Sequence, residues 1–312
     1  MVHLGPSLLT DFSCKSWFHG TIGQYWTILV KERSDNRTVE ARGSIPLCST
    51  IFFPRLNRPY PELSSAITMQ RVLIAPQAVR GQEIAIADPG ALHHLRRVLR
   101  VRPGDALECV DGTGRRYRGH ITRCDAGEVT MAIDASSVDV APRMPITLAQ
   151  AMIRPERFEW VIEKSTELGV ARILPMITSR TVRGDLVSRH RARVERWRRI
   201  AAAAAVQCGR STVPALEEPC AFAEVFERLR GGRALLPTLA VQGRPLIEAM
   251  EMVAQDTALT VLIGPEGDFT MDEVQLAQRQ GACAVRLGDA TLRSETAAVA
   301  LLAILQCRTG GW

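Results

Sequence analysis

Residues 259–273, LTVLIGPEGDFTMDE, join a strand to a helix through a turn that contains two glycines and a proline. The first five residues form a continuous apolar run of the length typical of a buried strand. Thr270 and Glu273 have the spacing of a capping box, which starts a helix directly after the turn. Glycines at the end of a strand let the backbone approach a ligand closely. The segment predicts a strand–loop–helix unit of an α/β fold, and this pattern alone is also that of an ordinary capped turn.

Residues 285–297, VRLGDATLRSETA, repeat the arrangement at the next strand. Gly288 ends the apolar run, and Arg293 and Glu295 stand where the following helix begins. A glutamate suits the positive end of a helix dipole, whereas an arginine opposes it, which indicates another task for Arg293. Ligands of open α/β sheets bind beyond the carboxyl ends of the strands. We therefore expect both loops to belong to one binding site.

Strands and helices alternate from residue 146 to the end of the chain. The predicted strands are 146–153, 171–177, 234–236, 259–263 and 284–287. The predicted helices are 155–168, 188–206, 221–230 and 294–307, with others between the later strands. Such alternation predicts a mostly parallel sheet that is covered by helices on both faces. The last helix is apolar nearly all round, which is typical of a buried core helix and equally of a dimer interface.

Residues 69–140 carry β signals instead. Turn sequences at 111–114 and 125–127 each separate two strand-like runs, which predicts a small antiparallel barrel or sandwich. One helix is expected at 90–100, with its apolar face formed by Leu92, Leu95, Val98 and Leu99. Residues 135–145 are predicted to be a linker. The expected domains are a β domain over 69–140 and an α/β domain over 146–312.

Residues 1–68 differ from the remainder of the chain, because no helical or strand period is sustained there. We expect an N-terminal extension that is poorly ordered, with Met69 as the natural start. A targeting peptide is the alternative, and the acidic residues Asp11, Glu32, Asp35 and Glu40 disfavour it.

The chain has 39 basic and 33 acidic residues, a net charge of +6. This excess suits a polyanionic partner such as RNA, although a basic enzyme without one has the same balance. The eight cysteines are scattered without a C-x-x-C pair, so neither a metal site nor a disulfide framework is expected. We expect a cytoplasmic protein, since cysteines without pairing fit a reducing compartment and no apolar run is long enough to span a membrane.

Arginine clusters are the candidates for contact with RNA phosphates. Residues 189–199 hold six arginines and one glutamate, more than a solvated helix face needs. The predicted helix at 90–100 carries three more, for which a solvated face is the alternative. The predicted RNA-binding residues are Arg96, Arg97, Arg100, Arg189, Arg193, Arg196 and Arg210. Neither a dinucleotide fingerprint nor a P-loop is present, which argues against the common nucleotide folds.

Four segments together resemble the RsmE family of 16S ribosomal RNA uracil-N3 methyltransferases. They are RFEWVIEKSTELGV (157–170), QCGR (207–210), IGPEG (263–267), and LG with LRSETA (287–297). The resemblance covers Met69 to the C-terminus. It implies a PUA-like β-barrel followed by an α/β (trefoil) knot domain of the SPOUT class, which acts as a homodimer on 16S ribosomal RNA of the 30S subunit.

The resemblance also implies S-adenosylmethionine as cofactor, held by three loops that converge in the knot. The residues that correspond to this site are Leu236, Pro237, Ile263, Gly264, Pro265, Glu266, Gly267, Leu287, Gly288 and Leu292. No metal is implied. Uracil N3 must lose a proton; a nearby guanidinium stabilises the resulting charge, and a carboxylate or the solvent can take the proton. Arg293 is the first candidate for stabilising this charge, Arg210 is the second candidate, as a contact to the base or its phosphate, and Glu295 is the candidate for orienting Arg293 or for the base.

Two positions depart from the family pattern. Asp268 stands where the family has a glycine after G-P-E-G, and Ala290 where it commonly has an arginine, after Asp289 in place of a proline. Two alternatives follow: a SPOUT methyltransferase for another RNA site, and an RNA-binding or ribosome-assembly protein that has lost catalysis.

Overall fold

The computed structural model describes residues 26–31, 38–43, 69–181, 190–229, 232–251 and 258–309. The chain divides into two compact units, Met1–Ser65 and Ala66–Trp312. In the first unit β1 (Trp26–Lys31) pairs antiparallel with β2 (Thr38–Gly43). The expectation of no strand period was wrong here, because the short run WTILVK is rich in β-branched residues. For the other residues of 1–68 the predicted disorder lies outside the described residues.

The second unit begins with a six-stranded sheet in the order β3-β6-β7-β8-β5-β4. Its strands are β3 (Gln70–Leu73), β4 (Val79–Arg80), β5 (Glu83–Ile86), β6 (Ala106–Val110), β7 (Arg115–Cys124) and β8 (Val129–Val138). All neighbours are antiparallel except β3 and β6. The predicted hairpins are β6–β7 and β7–β8, where the long strands pair over most of their length. The predicted linker begins too early, because 135–138 still pair with β7.

The helix in this sheet domain differs from its prediction. An α-helix, α1 (Pro89–His93), continues as a π-helical turn over His94–Leu99. The wider turn moves Val98 off the apolar face, so that its side chain is 59% exposed while Leu95 is fully buried. Arg100 then ends the helix in the left-handed conformation, with φ of 54°.

The remainder of the unit is an eight-stranded, all-parallel sheet. Its strands are β9 (Ile146–Ala151), β10 (Arg172–Ile177), β11 (Ala215–Leu216), β12 (Cys220–Ala221), β13 (Arg233–Pro237), β14 (Arg244–Pro245), β15 (Leu259–Ile263) and β16 (Ala282–Arg286). The order is β11-β10-β9-β15-β13-β16-β14, with β12 also on β10. Each of the five predicted strands is present, and the three strands of two residues were not predicted because so short a run has no period.

Helices cover both faces of the parallel sheet. They are α2 (Pro155–Glu167), α3 (His190–Cys208), α4 (Phe222–Arg228), α5 (Leu246–Glu251), α6 (Met271–Arg279) and α7 (Ser294–Thr309). Two apolar clusters fill the space between helices and strands, one around Phe158 and Leu301 and the other around Phe222 and Phe269. The capping box of Thr270 and Glu273 is confirmed at the start of α6. The trefoil knot stays a prediction, because strand order and register describe pairing alone.

A charged junction joins the two sheets. Glu108 on β6 is 2% exposed and lies among Arg71, Arg116 and Arg118. The same Arg71 and Arg116 donate to the carbonyls of Val206 and Gly209 at the end of α3. The β domain is thereby fixed to the amino-terminal end of the parallel sheet. Within the described residues no helix is both long and apolar enough to cross a membrane.

Candidate methyl-donor site

Three loops meet at the carboxyl ends of the adjacent strands β13, β15 and β16. Because these strands are parallel neighbours, their following loops emerge at one edge of the sheet. They enclose a cavity of about 240 Å³. It is lined by Pro237, Thr238, Leu239, Ile263, Gly264, Pro265, Glu266, Asp268, Val285, Arg286, Leu287, Gly288, Ala290, Thr291, Leu292, Arg293, Ser294 and Ala297.

Most of the predicted cofactor residues line this cavity. They are Pro237, Ile263, Gly264, Pro265, Glu266, Leu287, Gly288 and Leu292. Leu236 does not, because strand alternation turns its side chain into the core, where it is fully buried. Gly267 does not line the cavity either. The guanidinium of Arg180 donates to the carbonyl of Gly267 at 2.7 Å, and a Cβ on Gly267 would lie 3.4 Å from the Arg180 side chain.

Hydrogen bonds tie the β15 loop to the start of α7. The hydroxyl of Ser294 donates to the carbonyl of Gly264 at 2.5 Å and accepts from Nε2 of Gln150 at 2.9 Å. Gln150 lies on β9 and is fully buried. A side chain at Gly264 would be crowded, since a Cβ would approach the buried ring of Phe269 to 3.1 Å. Sequence analysis missed Gln150, because nothing in its β9 segment marks it as different from an ordinary strand residue.

Asp268 lines the cavity and connects two of its loops. Its backbone has φ of 59°, a left-handed conformation that aspartate tolerates better than most residues. One carboxylate oxygen, Oδ2, accepts from the hydroxyl of Thr238 at 2.9 Å and from the amide of Leu239 at 2.7 Å. The other, Oδ1, accepts from the amide of Phe269 at 2.8 Å. The carboxylate therefore links the loop after β13 to the loop after β15.

Of the two predicted catalytic residues in this segment, Arg293 lines the cavity and Glu295 does not. Arg293 precedes α7, is exposed, and lines the cavity, and its guanidinium forms neither an ion pair nor a hydrogen bond with any described residue. Glu295 is 14% exposed, with Oε1 at 3.6 Å from Nε of Arg157. Its second oxygen, Oε2, is buried without a hydrogen-bond partner in the described part of the chain. Arg157 also lies 3.6 Å from Oε1 of Glu266, so it balances both carboxylates.

Comparison with known proteins shows which family this chain belongs to. Residues 141–306 match the RNA methyltransferase domain family, and residues 87–133 match the RNA methyltransferase PUA domain. A ribosomal RNA small subunit methyltransferase E from Synechocystis is 32% identical over 82% of this chain and 84% of that protein. The chain belongs to the RsmE family.

Solved structures agree with the family assignment. The chain resembles a ribosomal RNA small subunit methyltransferase E from Neisseria gonorrhoeae bound to S-adenosyl methionine, with a TM-score of 0.68 and 29% identity over 77% of this chain and 98% of that one. A putative Legionella pneumophila methyltransferase in complex with the cofactor SAM gives a TM-score of 0.69 at the same identity and coverage. The predicted PUA-like domain and α/β methyltransferase domain are confirmed as fold classes.

Arg210 is the predicted site residue that this RsmE-family chain places elsewhere. It follows α3 at the opposite end of the sheet, and its guanidinium donates to the carbonyls of Thr166 at 2.7 Å and Val170 at 3.1 Å. Burial lowers the pKa of Arg210 from its usual value. Within one chain it therefore ties the end of α2 to the start of β10 and does not face the cavity.

The predicted RNA-binding arginines fall into different settings. Arg97 and Arg100 are exposed, and Arg96 is exposed with one nitrogen donating to the carbonyl of Ala126 at 2.8 Å. Arg196 makes a two-pronged ion pair with Glu159, with distances of 2.6 and 2.8 Å, which raises its pKa. One guanidinium nitrogen of Arg193 is buried, without a partner in the described residues. Arg189 lies outside the described residues.

Proposed function

We propose that this chain transfers a methyl group from S-adenosylmethionine to N3 of a uridine in 16S ribosomal RNA of the small subunit. The observation that carries the proposal is the three-loop cavity in a chain that aligns with cofactor-bound methyltransferases over 77% of its length. The name of its relatives supplies the substrate class, and the cytoplasm is the location that this substrate implies.

The cavity fits S-adenosylmethionine by the chemistry of its lining. Side chains of Ile263, Leu287 and Leu292 offer an apolar surface for a purine ring, and the loops themselves offer backbone donors and acceptors for its polar edge. Gly264 has no side chain to cover that backbone, and the ring of Phe269 leaves little space for one. When bound, the cofactor supplies an electrophilic methyl group on a cationic sulfur.

The residues at the rim fit the demands of the acceptor base. Deprotonation of uracil N3 spreads negative charge over O2 and O4, which a positioned guanidinium stabilises. Arg293 is suited to that role, because it lines the cavity and no described acidic residue neutralises it. Glu295, two residues after Arg293, is suited to orient Arg293 or to take the proton, since Oε2 has no hydrogen-bond partner among the described residues. N3 lies on the pairing edge of the base, so the target uridine must be unpaired or flipped out.

We assign the β domain, residues 69–140, to RNA binding and residues 146–312 to methyl transfer. Exposed Arg97 and Arg100 on the helical insertion are the supporting residues, because solvent-accessible guanidinium groups pair with phosphates. Arg196, which lies on α3 of the other domain, contributes less to RNA binding than the sequence suggested, since its charge is already paired with Glu159.

Methyl transfer by Arg293→Ala tests the catalytic assignment. Small subunits from cells that lack the protein would be incubated with radiolabelled donor, and the modified base would be mapped by mass spectrometry. We expect the rate to fall by at least about 100-fold, as on loss of one charge-stabilising donor, with donor affinity in calorimetry within about threefold of wild type. Arg293→Lys, which keeps the charge, should recover part of the rate. Full activity of Arg293→Ala would refute the assignment, and a methyl group on another atom would refute the N3 specificity.

We also propose that the chain works as a homodimer through α2 and α7. These helices pack together, and each leaves a large apolar side chain partly exposed, Trp160 at 42% and Ile304 at 43%. Light scattering after gel filtration should give twice the chain mass, and Ile304→Glu should shift it toward the monomer. A monomer at micromolar concentration would contradict the proposal.

A further inference from the structure

The acidic residues around the cavity differ in how their charge is compensated. Glu266 and Glu295 share Arg157 at 3.6 Å. Asp289, which lies outside the lining, pairs with Arg286 at 2.8 Å. Asp268 alone among these four accepts only from neutral donors, two backbone amides and one hydroxyl. An ionised carboxylate is an acceptor on both oxygens, which agrees with three accepted hydrogen bonds.

The neutral partners fix the position of Asp268 without cancelling its charge. Two of the three donors belong to residues held by the core, because Thr238 is 7% exposed and Phe269 is fully buried, whereas Leu239 is 63% exposed and donates through its backbone amide. The side chain lines the cavity and cannot turn away without losing bonds to two loops. The cavity thus contains a preorganised negative charge that no described cation pairs with.

We infer that Asp268 makes the methyl-donor pocket prefer the cationic donor over its neutral product. The inference rests on the proposed function. S-adenosylmethionine and S-adenosylhomocysteine share the adenosine and amino-acid parts and differ at sulfur, which is a cationic sulfonium in the donor and a neutral sulfide in the product. A fixed carboxylate in the same pocket stabilises the first and is indifferent to the second. Across a partly solvated pocket this attraction amounts to about a fivefold to tenfold preference.

Such a preference would have a direct consequence for turnover. The neutral product binds the pocket less tightly than the cationic donor does. It therefore leaves more readily, and product inhibition is reduced. At the position of Asp268 a glycine, which the RsmE-family pattern has, could supply the left-handed backbone but no charge. The side chain of Asp268 therefore determines the preference of this chain for the donor over the product, in addition to the role of its backbone in the turn.

Calorimetry with both ligands on Asp268→Asn tests the inference. Asparagine has nearly the same volume, tolerates φ of 59° and has no charge. Its oxygen can accept from Thr238 and Leu239, whereas its amide nitrogen cannot accept from the amide of Phe269, so the ratio of the two dissociation constants carries the test. We expect the Kd for the donor to rise about fivefold to tenfold, while the Kd for the product changes less than about twofold. Asp134→Asn is the matched control, since this carboxylate is 60% exposed, lies in the β domain and is outside the cavity lining. It should leave the ratio of the two dissociation constants unchanged.

Asp268→Gly provides a second variant if the asparagine variant is unstable, because glycine adopts the same backbone conformation without strain. Asp268→Gly should show the same loss of preference for the donor. Both ligands should also bind more weakly by an equal factor, because the bridge between the two loops is lost. Unchanged ratios in both variants, or an equal loss for both ligands in Asp268→Asn, would overturn the inference. If the wild-type chain binds neither ligand, the proposed function fails instead, so the two failures are distinguishable.

Discussion

Replacement of Glu108 by glutamine should destabilise the joint between the β domain and the parallel sheet. The carboxylate of Glu108 is 2% exposed and lies 2.5 Å from Nε of Arg71, 3.1 Å from Nε of Arg118 and 3.3 Å from Nη1 of Arg116. Glutamine keeps the size and one acceptor but removes the charge that balances three guanidinium groups. Arg71 and Arg116 also hold the carbonyls at the end of α3, so their displacement would affect both sheets.

The magnitude follows from the burial of each partner. Removal of one member of a buried ion pair costs about 3–5 kcal/mol. The lower end applies here, because Arg71 and Arg118 are 24% and 62% exposed and water screens part of the repulsion. For a unit of this size, about 3 kcal/mol corresponds to a fall in Tm of about 6–12 °C. Thermal unfolding at pH 7, followed by circular dichroism, measures it.

The pH dependence provides an internal check. Burial by itself would raise the pKa of Glu108, but hydrogen bonds from Arg71 and Arg118 and the charges of Arg71 and Arg116 hold it below the ordinary value of 4.5. The stabilisation is therefore complete above pH 4.5 and is lost as the pH falls through the lower pKa of the folded state. Wild type and Glu108→Gln should converge in Tm at acid pH. Asp134→Asn, which alters an exposed pair with His120, is the control with little expected change. Equal Tm values for wild type and Glu108→Gln at pH 7 would refute the reasoning.

Three further variants test the site and its supports. Gly264→Ala places a Cβ 3.1 Å from the buried ring of Phe269, and overpacking of about 1–3 kcal/mol should weaken donor binding at least about fivefold in calorimetry; wild-type affinity would show that the loop adapts. Ser294→Ala removes the link between Gln150 and the β15 loop and should cost about 1–3 kcal/mol in urea unfolding, unless water replaces the hydroxyl. Arg210→Ala should lower the Tm by several degrees, because two backbone carbonyls lose their donor; an unchanged Tm with lost methyl transfer would return Arg210 to the catalytic set.

Elements with local signals were the ones that sequence predicted well. The run LTVLI gives β15 at Leu259–Ile263, and the capping box places the start of α6, since both depend on residues within one turn or strand. Prediction failed where distant contacts decide. The π-helical turn over His94–Leu99 has no sequence signal of its own, and 135–138 became strand because β7 was long enough to pair with them.

The loops that form the site were predicted more accurately than the individual residues in it. Adjacent parallel strands bring their carboxyl ends together whatever the side chains are, so Gly264 and Gly288 line the cavity as expected. Arg210 shows the limit of this reasoning: a motif fixes the order of residues along the chain but not the end of the sheet at which each one lies. Its hydrogen bonds to Thr166, Val170 and Thr212 depend on the path of α3, which period and caps do not determine.

Asp268 shows how a departure from a family pattern should be weighed. From sequence, an acid in place of glycine could either add a contact or disturb the loop, and a chain that has lost catalysis was one alternative. In the structure the left-handed backbone that glycine would provide is kept at φ of 59°, and the added carboxylate bonds to Thr238, Leu239 and Phe269. A destabilising change would leave such polar atoms unpaired or the backbone displaced, and neither is observed at this position. The substitution therefore argues for a retained donor site with an altered charge, and against the hypothesis of a chain that has lost its chemistry.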